Sequence, residues 1–197
     1  MMPKVYIFMG SQGSGKGTQV SLLKSKLEEK FSEMSTLFID TGRGFRMLAS
    51  EDTFTTLRMK ESLNAGDRQP DALAIYIFMS KLIYEMKENQ NLIIDGSPRT
   101  VFQAEALDTV LHFYKFTKPI VIVLNVNKDE AKKRMLLRKR VDDSKESIEK
   151  RLAWYEDDVL PAIEYYRKHD YYNVIDIDGE QSVEDVHKEI IAKVGLV

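Results

Sequence analysis

A glycine-rich segment at 10–18, GSQGSGKGT, constrains this chain more than any other feature. It follows the apolar run 5–9 directly and precedes a helical pattern, which gives the order strand, loop, helix. Glycines let the backbone approach a polyanion without a Cβ in the way, and a helix that begins there presents its positive end. The spacing Gly-x-x-x-x-Gly-Lys indicates a loop that binds nucleotide phosphates, with Lys16 as a mobile charge for the β- and γ-phosphates. Gly17 stands where the general pattern has Ser or Thr, and the hydroxyl comes one residue later at Thr18. A glycine-rich turn without a ligand is the weaker alternative, because lysine, threonine, strand and helix all agree.

Composition and charge narrow the class of protein. The chain has 197 residues, a formal net charge of -2 and no cysteine. This length is enough for one α/β domain with an insertion. A near-neutral charge argues against a general nucleic-acid binder, and the lack of cysteine excludes disulfides and thiolate metal sites. The apolar start is too short for a signal peptide and no run could span a membrane, so we expect a cytoplasmic protein without nucleic-acid or membrane partners.

Short apolar runs alternate with longer helical patterns along the chain. Continuous apolar strands separated by helices indicate a parallel sheet covered on both faces. The sequence therefore predicts an α/β fold, a three-layer sandwich with a five-stranded parallel sheet, with 1–197 as a single core. The predicted strands are 5–9, 37–39, 92–94, 120–124 and 174–177. The predicted helices are 15–31, 71–88, 100–113, 128–138, 145–169 and 183–193. Pro161 should bend or break the helix 145–169. The polar segment 41–71 lacks a strand pattern, and we expect it to be an inserted helical cap.

A second cluster, Asp-Gly-Ser-Pro-Arg at 95–99, follows the predicted strand 92–94. Ligands of open α/β sheets gather at the carboxyl ends of the strands. A carboxylate there, beside a phosphate loop, is the usual partner of hydrated Mg²⁺, which makes Asp95 a candidate metal-binding residue. Pro98 fixes the turn that directs Arg99. The alternative is that Asp95 caps a helix and that Arg99 is solvated.

A third cluster combines arginines with two acids: Arg134, Arg138, Arg140, Asp142, Asp143 and Arg151. Arg134 and Arg138 are four residues apart on one predicted helix, so two guanidinium groups could grip one polyphosphate. The acids could hold Arg140 or Arg151 by bidentate pairing. Taken alone, such a cluster is more often a solvated, salt-bridged face. The phosphate loop upstream favours a site, because phosphoryl transfer depends on charges directed at the moving group.

Five motifs in order give the chain a resemblance that covers nearly its whole length. They are the phosphate loop with glycine after lysine, Thr41-Gly42-Arg43-Gly44-Phe45-Arg46, Asp95 to Arg99 with Gln103, the arginine and Asp-Asp cluster, and Asp178-Gly179 before the last helix. Together they resemble the adenylate kinases, of the nucleoside monophosphate kinase family, with Gln12 in place of the proline of that family's loop.

The resemblance implies direct in-line transfer, MgATP + AMP ⇌ 2 ADP, with ATP, AMP and ADP as the small-molecule partners. It implies that ATP is bound by Gly13, Ser14, Gly15, Lys16, Gly17, Thr18, Arg134, Arg138 and Gln181. It implies that AMP is bound by Thr41, Arg46, Gln69, Gly96, Arg99, Gln103, Arg140 and Arg151. Catalysis would be carried by Lys16, Arg99, Arg138, Arg140 and Arg151. The cofactor Mg²⁺ would lie near Thr18 and Asp95, through water.

Three departures from the family pattern have consequences. Arg43 replaces an aspartate that helps to order water around Mg²⁺, which leaves Asp95 with less carboxylate help unless Asp40 moves in. Polar residues 67–70 replace an apolar wall for the acceptor base. Only Lys139 separates Arg138 from Arg140 where the family has its lid, so 138–141 is at most a vestige of it. We therefore expect either a homo-oligomer that shields the phosphates or a measurable loss of phosphate to water. The alternative is a monomer in which the rest of the cap closes over the phosphates.

Two other functions stay open from the sequence. A kinase for UMP or CMP is one, although Gln103 favours adenine because an amide can pair with its amino group and ring nitrogen together. A nucleotide sensor with little turnover is the other. Arg43 and the short lid favour a sensor, whereas the retained lysine and arginines argue against it.

Overall fold

A computed structural model describes residues 3–138 and 144–196. Its centre is a five-stranded sheet with all strands parallel, in the order β2-β3-β1-β4-β5. The strands are β1 (Val5–Met9), β2 (Thr36–Asp40), β3 (Asn91–Asp95), β4 (Ile120–Asn125) and β5 (Asn173–Asp178). The predicted fold class and all five predicted strands are confirmed.

Helices cover both faces of this sheet, which explains why its strands are apolar throughout. In β1 the side chains of Val5 and Ile7 pack into one core with Phe78 and Leu107. The alternate residues Tyr6 and Phe8 pack into a second core on the opposite face. Because successive side chains of a strand point to opposite faces, one short strand contributes to both cores.

The helices follow the predicted pattern closely. They are α1 (Lys16–Lys30), α2 (Thr41–Leu48), α3 (Phe54–Asn64), α4 (Asp71–Glu85), α5 (Val101–Phe113), α6 (Lys128–Arg138), α7 (Lys145–Trp154), α8 (Leu160–Arg167) and α9 (Val183–Lys193). A π-helical turn, Tyr155–Val159, joins α7 to α8. Pro161 lies in the first turn of α8, directly after the π-helical turn, so the α-helical pattern predicted for 145–169 is interrupted beside this proline. Helix α4 ends before the predicted residue 88 because Met86 leaves helical backbone, with ψ 132°.

The segment 41–71 is helical, as expected, and its carboxyl end lies against α7. The Nζ of Lys150 donates to the carbonyl oxygen of Ala65 at 2.9 Å and to Oδ1 of Asp67 at 2.7 Å. Gly66 has φ +74°, and a Cβ there would lie 2.6 Å from the Cα of Ser147. Only glycine allows this close approach between segment and helix.

Residues 139–143 lie outside the described residues, and with them Arg140, Asp142, Asp143 and most of the predicted lid vestige 138–141. Within the described ranges, no helix is long and apolar enough to cross a membrane.

Candidate functional site

A cavity of about 1100 Å³ opens at the carboxyl edge of the sheet. It brings together the glycine-rich loop, the 95–99 turn, the 41–71 segment, the ends of α6 and α7 and the turn after β5. Among the predicted site residues that the structure describes, all but Thr41 line it. Thr41 is fully buried behind Gly96, where a Cβ would lie 3.5 Å from the Cβ of Thr41. Thr41 is therefore absent from the cavity lining, and its contact with AMP stays a prediction.

The glycine-rich loop has the backbone that its sequence predicted. Gly13 and Gly15 have φ of +86° and +94°. A Cβ on Gly13 would lie 2.4 Å from the carbonyl oxygen of Ala131, so this glycine lets the loop pack on α6. Gly15 is the N-cap of α1 and supplies no side-chain cap, which leaves the first amides of the helix for a ligand. At Gly17 a Cβ would meet no protein atom within 4 Å, because the residue faces the cavity.

Lys16 folds back onto its own loop. Its Nζ donates to the carbonyl oxygens of Gly10 at 2.8 Å and Ser11 at 2.7 Å. Burial lowers the pKa of Lys16 to about 8, and the charge of Asp95 opposes this shift. The ammonium group is therefore weakly solvated, and a phosphate oxygen would be a stronger partner for it than the two loop carbonyls.

Asp95 and Asp40 lie side by side at the carboxyl ends of β3 and β2, paired in the sheet register. Burial raises the pKa of Asp95, with Lys16 opposing and Asp40 adding to the shift. Its Oδ1 is buried without a hydrogen-bond partner. Arg43 is exposed and lies outside the cavity lining. Asp40 therefore places a second carboxylate beside Asp95 in the cavity lining.

These oxygen atoms fit a hydrated Mg²⁺ ion. Carboxylate and hydroxyl oxygens are its preferred ligands, and Thr18 presents an exposed hydroxyl in the first turn of α1 in the same cavity. Among the described residues, no three His, Cys, Asp or Glu side chains converge into a cage. Mg²⁺ keeps several of its waters in sites of this kind, so contact through water suits the arrangement.

Positive charge is concentrated beside the phosphate loop by arginines from three elements. Nε of Arg99 donates to the carbonyl oxygen of Gly96 at 2.8 Å. Burial lowers the pKa of Arg99, Asp95 opposes this, and the charges of Arg151 and Arg138 lower it further. Arg151 on α7 is only 5% exposed. These arginines are therefore close enough to repel one another, which an anion between them would relieve.

Arg134, predicted to bind a polyphosphate together with Arg138, makes two contacts within the protein. Its Nε donates to Oε1 of Glu130 at 2.8 Å, and its Nη1 donates to the carbonyl oxygen of Gly179 at 2.8 Å. One donor thus binds within α6, and the other joins α6 to the turn after β5. Gln181 in that turn also lines the cavity, and its Nε2 donates to Oε2 of Glu189. Arg134 therefore lies beside the turn that carries Gln181.

Two glutamine side chains, Gln69 and Gln103, line the part of the cavity next to the 41–71 segment. Gln103 is 2% exposed, and both ends of its amide are engaged by the protein. Gln69 is 8% exposed; its Nε2 donates to Oγ of Ser62 at 2.6 Å, while its Oε1 is buried without a partner. Arg46, on α2, reaches Oδ2 of Asp40 at 4.0 Å. Polar groups thus replace an apolar wall here, as the sequence of 67–70 indicated.

Two residues near this side were missed by the sequence reasoning. Asp71 is in the first turn of α4, and its Oδ1 accepts a hydrogen bond from Nε2 of Gln103. The Pro-Asp pair at 70–71 indicates a helix start but does not indicate this contact. Trp154, the one tryptophan of the chain, lines the cavity from the end of α7. Nothing in its sequence context indicated that position.

Comparison with known proteins identifies the family. The family model described as "Adenylate kinase" matches residues 8–171. Curated relatives with the same name include one from Leptospira biflexa serovar Patoc, 34% identical over 97% of this chain and 100% of its own length. Another, from Azobacteroides pseudotrichonymphae, is 35% identical over 94% of both chains. A third, from Prochlorococcus marinus (strain MIT 9515), is 34% identical over 91% of this chain and 93% of its own. From the matched model and from relatives of this similarity and coverage, the chain belongs to the adenylate kinase family.

Proposed function

We propose that this protein is an ATP:AMP phosphotransferase that moves the γ-phosphoryl group of MgATP to AMP and forms two ADP. The observation that carries the proposal is the convergence of Lys16 with Arg99, Arg138 and Arg151 around one cavity. Phosphoryl transfer needs little covalent chemistry from a protein, because positioning and electrostatic stabilisation supply most of the catalysis. Membership of the adenylate kinase family supports both the reaction and the substrates.

On the donor side, the backbone amides of 13–18 would surround the triphosphate of ATP. Lys16 would exchange its two loop carbonyls for β- and γ-phosphate oxygens, a stronger pairing because both partners carry charge. Arg138 would contact the same phosphates. Arg134 and Gln181 would border the adenine, in keeping with the contact of Arg134 to the turn after β5.

On the acceptor side, Arg99 and Arg46 would bind the phosphate of AMP, and Gln103 and Gln69 would contact its base. Gly96 has φ +84° and lies in the cavity lining, where the lack of a side chain lets a ligand approach the backbone. Thr41 would act from behind this turn by packing. Arg151 would lie between the two phosphate chains, and we assign the same role to Arg140 from the family resemblance.

Asp95, Asp40 and Thr18 are the residues that would hold Mg²⁺, through water. When bound, the ion would neutralise charge on the β- and γ-phosphate oxygens. The buried Asp95 carboxylate has a raised pKa, so a nearby cation would favour its ionised form. Lys16, Arg99 and Arg138 would then stabilise the charge that spreads over the transferred group.

The 41–71 segment is the proposed cover of the transfer site. Its bonds to Lys150 and the close approach of Gly66 to Ser147 join it to α7 across the cavity. Because these contacts hold the cover in place within one chain, a monomer is the form we favour over a homo-oligomer. We place its action in the cytoplasm, where ATP and AMP occur together.

A coupled assay for ADP tests the proposal. Purified protein is supplied with MgATP and AMP, CMP, UMP or no acceptor, and the Lys16→Met variant is run beside it with circular dichroism as the check of folding. We expect turnover with AMP well above that with the pyrimidine nucleotides, and none from folded Lys16→Met. CMP or UMP as the better acceptor would indicate the corresponding kinase, and binding without turnover would indicate a sensor.

A further inference from the structure

The side-chain amide of Gln103 is held between two groups of opposite hydrogen-bonding character. The backbone N–H of Arg99 donates to its Oε1 at 2.9 Å, and its Nε2 donates to Oδ1 of Asp71 at 2.7 Å. A backbone N–H can only donate, and an ionised carboxylate can only accept. If the amide were turned over, its NH₂ group would face the backbone N–H of Arg99, and its oxygen would face the carboxylate of Asp71. The orientation of Gln103 is therefore fixed by its neighbours.

Asp71 is itself firmly held. Nη1 of Arg68 and Oγ1 of Thr100 donate to the same Oδ1 that receives Gln103. Asp71 is also in the first turn of α4, where the positive end of the helix stabilises a carboxylate. Nε of Arg68 reaches Oδ2 of Asp158, in the π-helical turn, at 3.2 Å. Arg68 thus connects the start of α4 to a second, independent part of the fold.

Within the part of the chain that the structure describes, the fixed amide leaves one N–H on Nε2 and one lone pair on Oε1 without a hydrogen-bond partner, because a primary amide has two of each. Gln103 lines the cavity, so these are the groups it can offer to a base. Adenine presents an acceptor at N1 and a donor at its 6-amino group, which matches a donor and an acceptor. Hypoxanthine presents a donor at N1 and an acceptor at O6, the reverse pattern. An amide free to turn over would accept either base.

We infer that Asp71 is a positioning residue that sets base specificity, by fixing Gln103 in the orientation that accepts a 6-amino purine and rejects a 6-oxo purine. Arg68 is its anchor. This inference rests on the proposed function, since it concerns the acceptor of that reaction. It gives a function to Arg68, one of the polar residues that replace the family's apolar wall at 67–70.

The Asp71→Asn variant tests it, because asparagine has nearly the same shape but can either donate or accept. The assay compares kcat/KM for AMP and IMP as acceptors at saturating ATP. One charge-assisted hydrogen bond is lost, so we expect the AMP to IMP preference to fall at least about tenfold. The KM for ATP should not change. Asp71→Glu, which keeps a carboxylate, should retain more of the preference.

Asp129→Asn is the matched control, because Asp129 is in the first turn of α6, exposed and outside the cavity lining. It should keep the full preference. An unchanged AMP to IMP ratio in folded Asp71→Asn would overturn the inference, and so would an equal loss with both acceptors. Should Asp71→Asn not fold, Arg68→Leu gives the same test, with a smaller fall expected. If the unmodified protein does not use AMP at all, the proposed function fails, which is a different result.

Discussion

Raising the pH from about 7.5 to about 9 should weaken ATP binding by the ligand-free protein, because Lys16 loses its proton over this range. Burial lowers the pKa of Lys16 to about 8, well below the ordinary value of a lysine side chain. Phosphate oxygens bind the charged ammonium far better than the neutral amine. The affinity must therefore follow the protonated fraction of the free protein as the pH rises through its pKa.

The size of the effect follows from that pKa. Lys16 should be protonated in roughly three quarters of the molecules at pH 7.5 and in roughly one tenth at pH 9. The dissociation constant for ATP should then rise about eightfold, which corresponds to about 1.2 kcal/mol of binding free energy. A lysine with an unshifted pKa near 10.4 would change the affinity by only a few per cent over the same interval.

Trp154 gives a direct readout, because it is the single tryptophan and lines the cavity. Its fluorescence is titrated with ATP at each pH, without Mg²⁺ and without AMP, so that no turnover occurs. The control is Lys16→Arg, whose guanidinium stays charged throughout, and its affinity should not fall with pH. A flat profile for the unmodified protein, or the same fall in Lys16→Arg, would refute the assignment of the buried cation.

Two further predictions concern the loop and the cover of the site. Gly13→Ala should lower the midpoint of thermal unfolding by at least about 3 °C, because φ is positive and the new Cβ would lie 2.4 Å from a carbonyl oxygen. Gly17→Ala is the control, since its new Cβ would meet open space and should leave the midpoint unchanged. Equal midpoints for the two variants would contradict the loop geometry. Lys150→Ala should raise the KM for AMP about twofold to fivefold, since an exposed ion pair contributes little, and should increase phosphate release from ATP alone. The exposed Lys188→Ala is its control, and matching kinetics in both variants would contradict a role for the contact with α7.

The sheet and most helices could be predicted because their signals are local. Continuous apolar runs with helical patterns between them identify buried parallel strands, and the glycine spacing identifies the loop. The break at Pro161 is also local, since it follows from the missing N–H of proline. Many of the side chains around the cavity could also be predicted, because they are carried by the loop, the 95–99 turn, α6 and α7.

Contacts between distant segments could not be read in this way. The pairing of Asp40 with Asp95 depends on the register of β2 and β3, and the use of Gln103 by Asp71 depends on how α4 packs near α5. The spacing of Arg134 to Arg138 predicts that both could bind one polyphosphate, but it could not predict that Nη1 of Arg134 donates to the carbonyl oxygen of Gly179. Spacing fixes the face of a helix, whereas the partner on that face depends on tertiary packing.

Direct transfer of the γ-phosphoryl group from ATP to AMP can be tested by following a label in that group. ATP labelled in that group is mixed with AMP, Mg²⁺ and the protein, and the products are separated by ion exchange. We expect the label to move into the β-phosphoryl group of newly formed ADP, with two ADP for each ATP consumed and negligible labelled inorganic phosphate. Label that appears in inorganic phosphate at the same rate with and without AMP would contradict direct transfer between two nucleotides in this cavity.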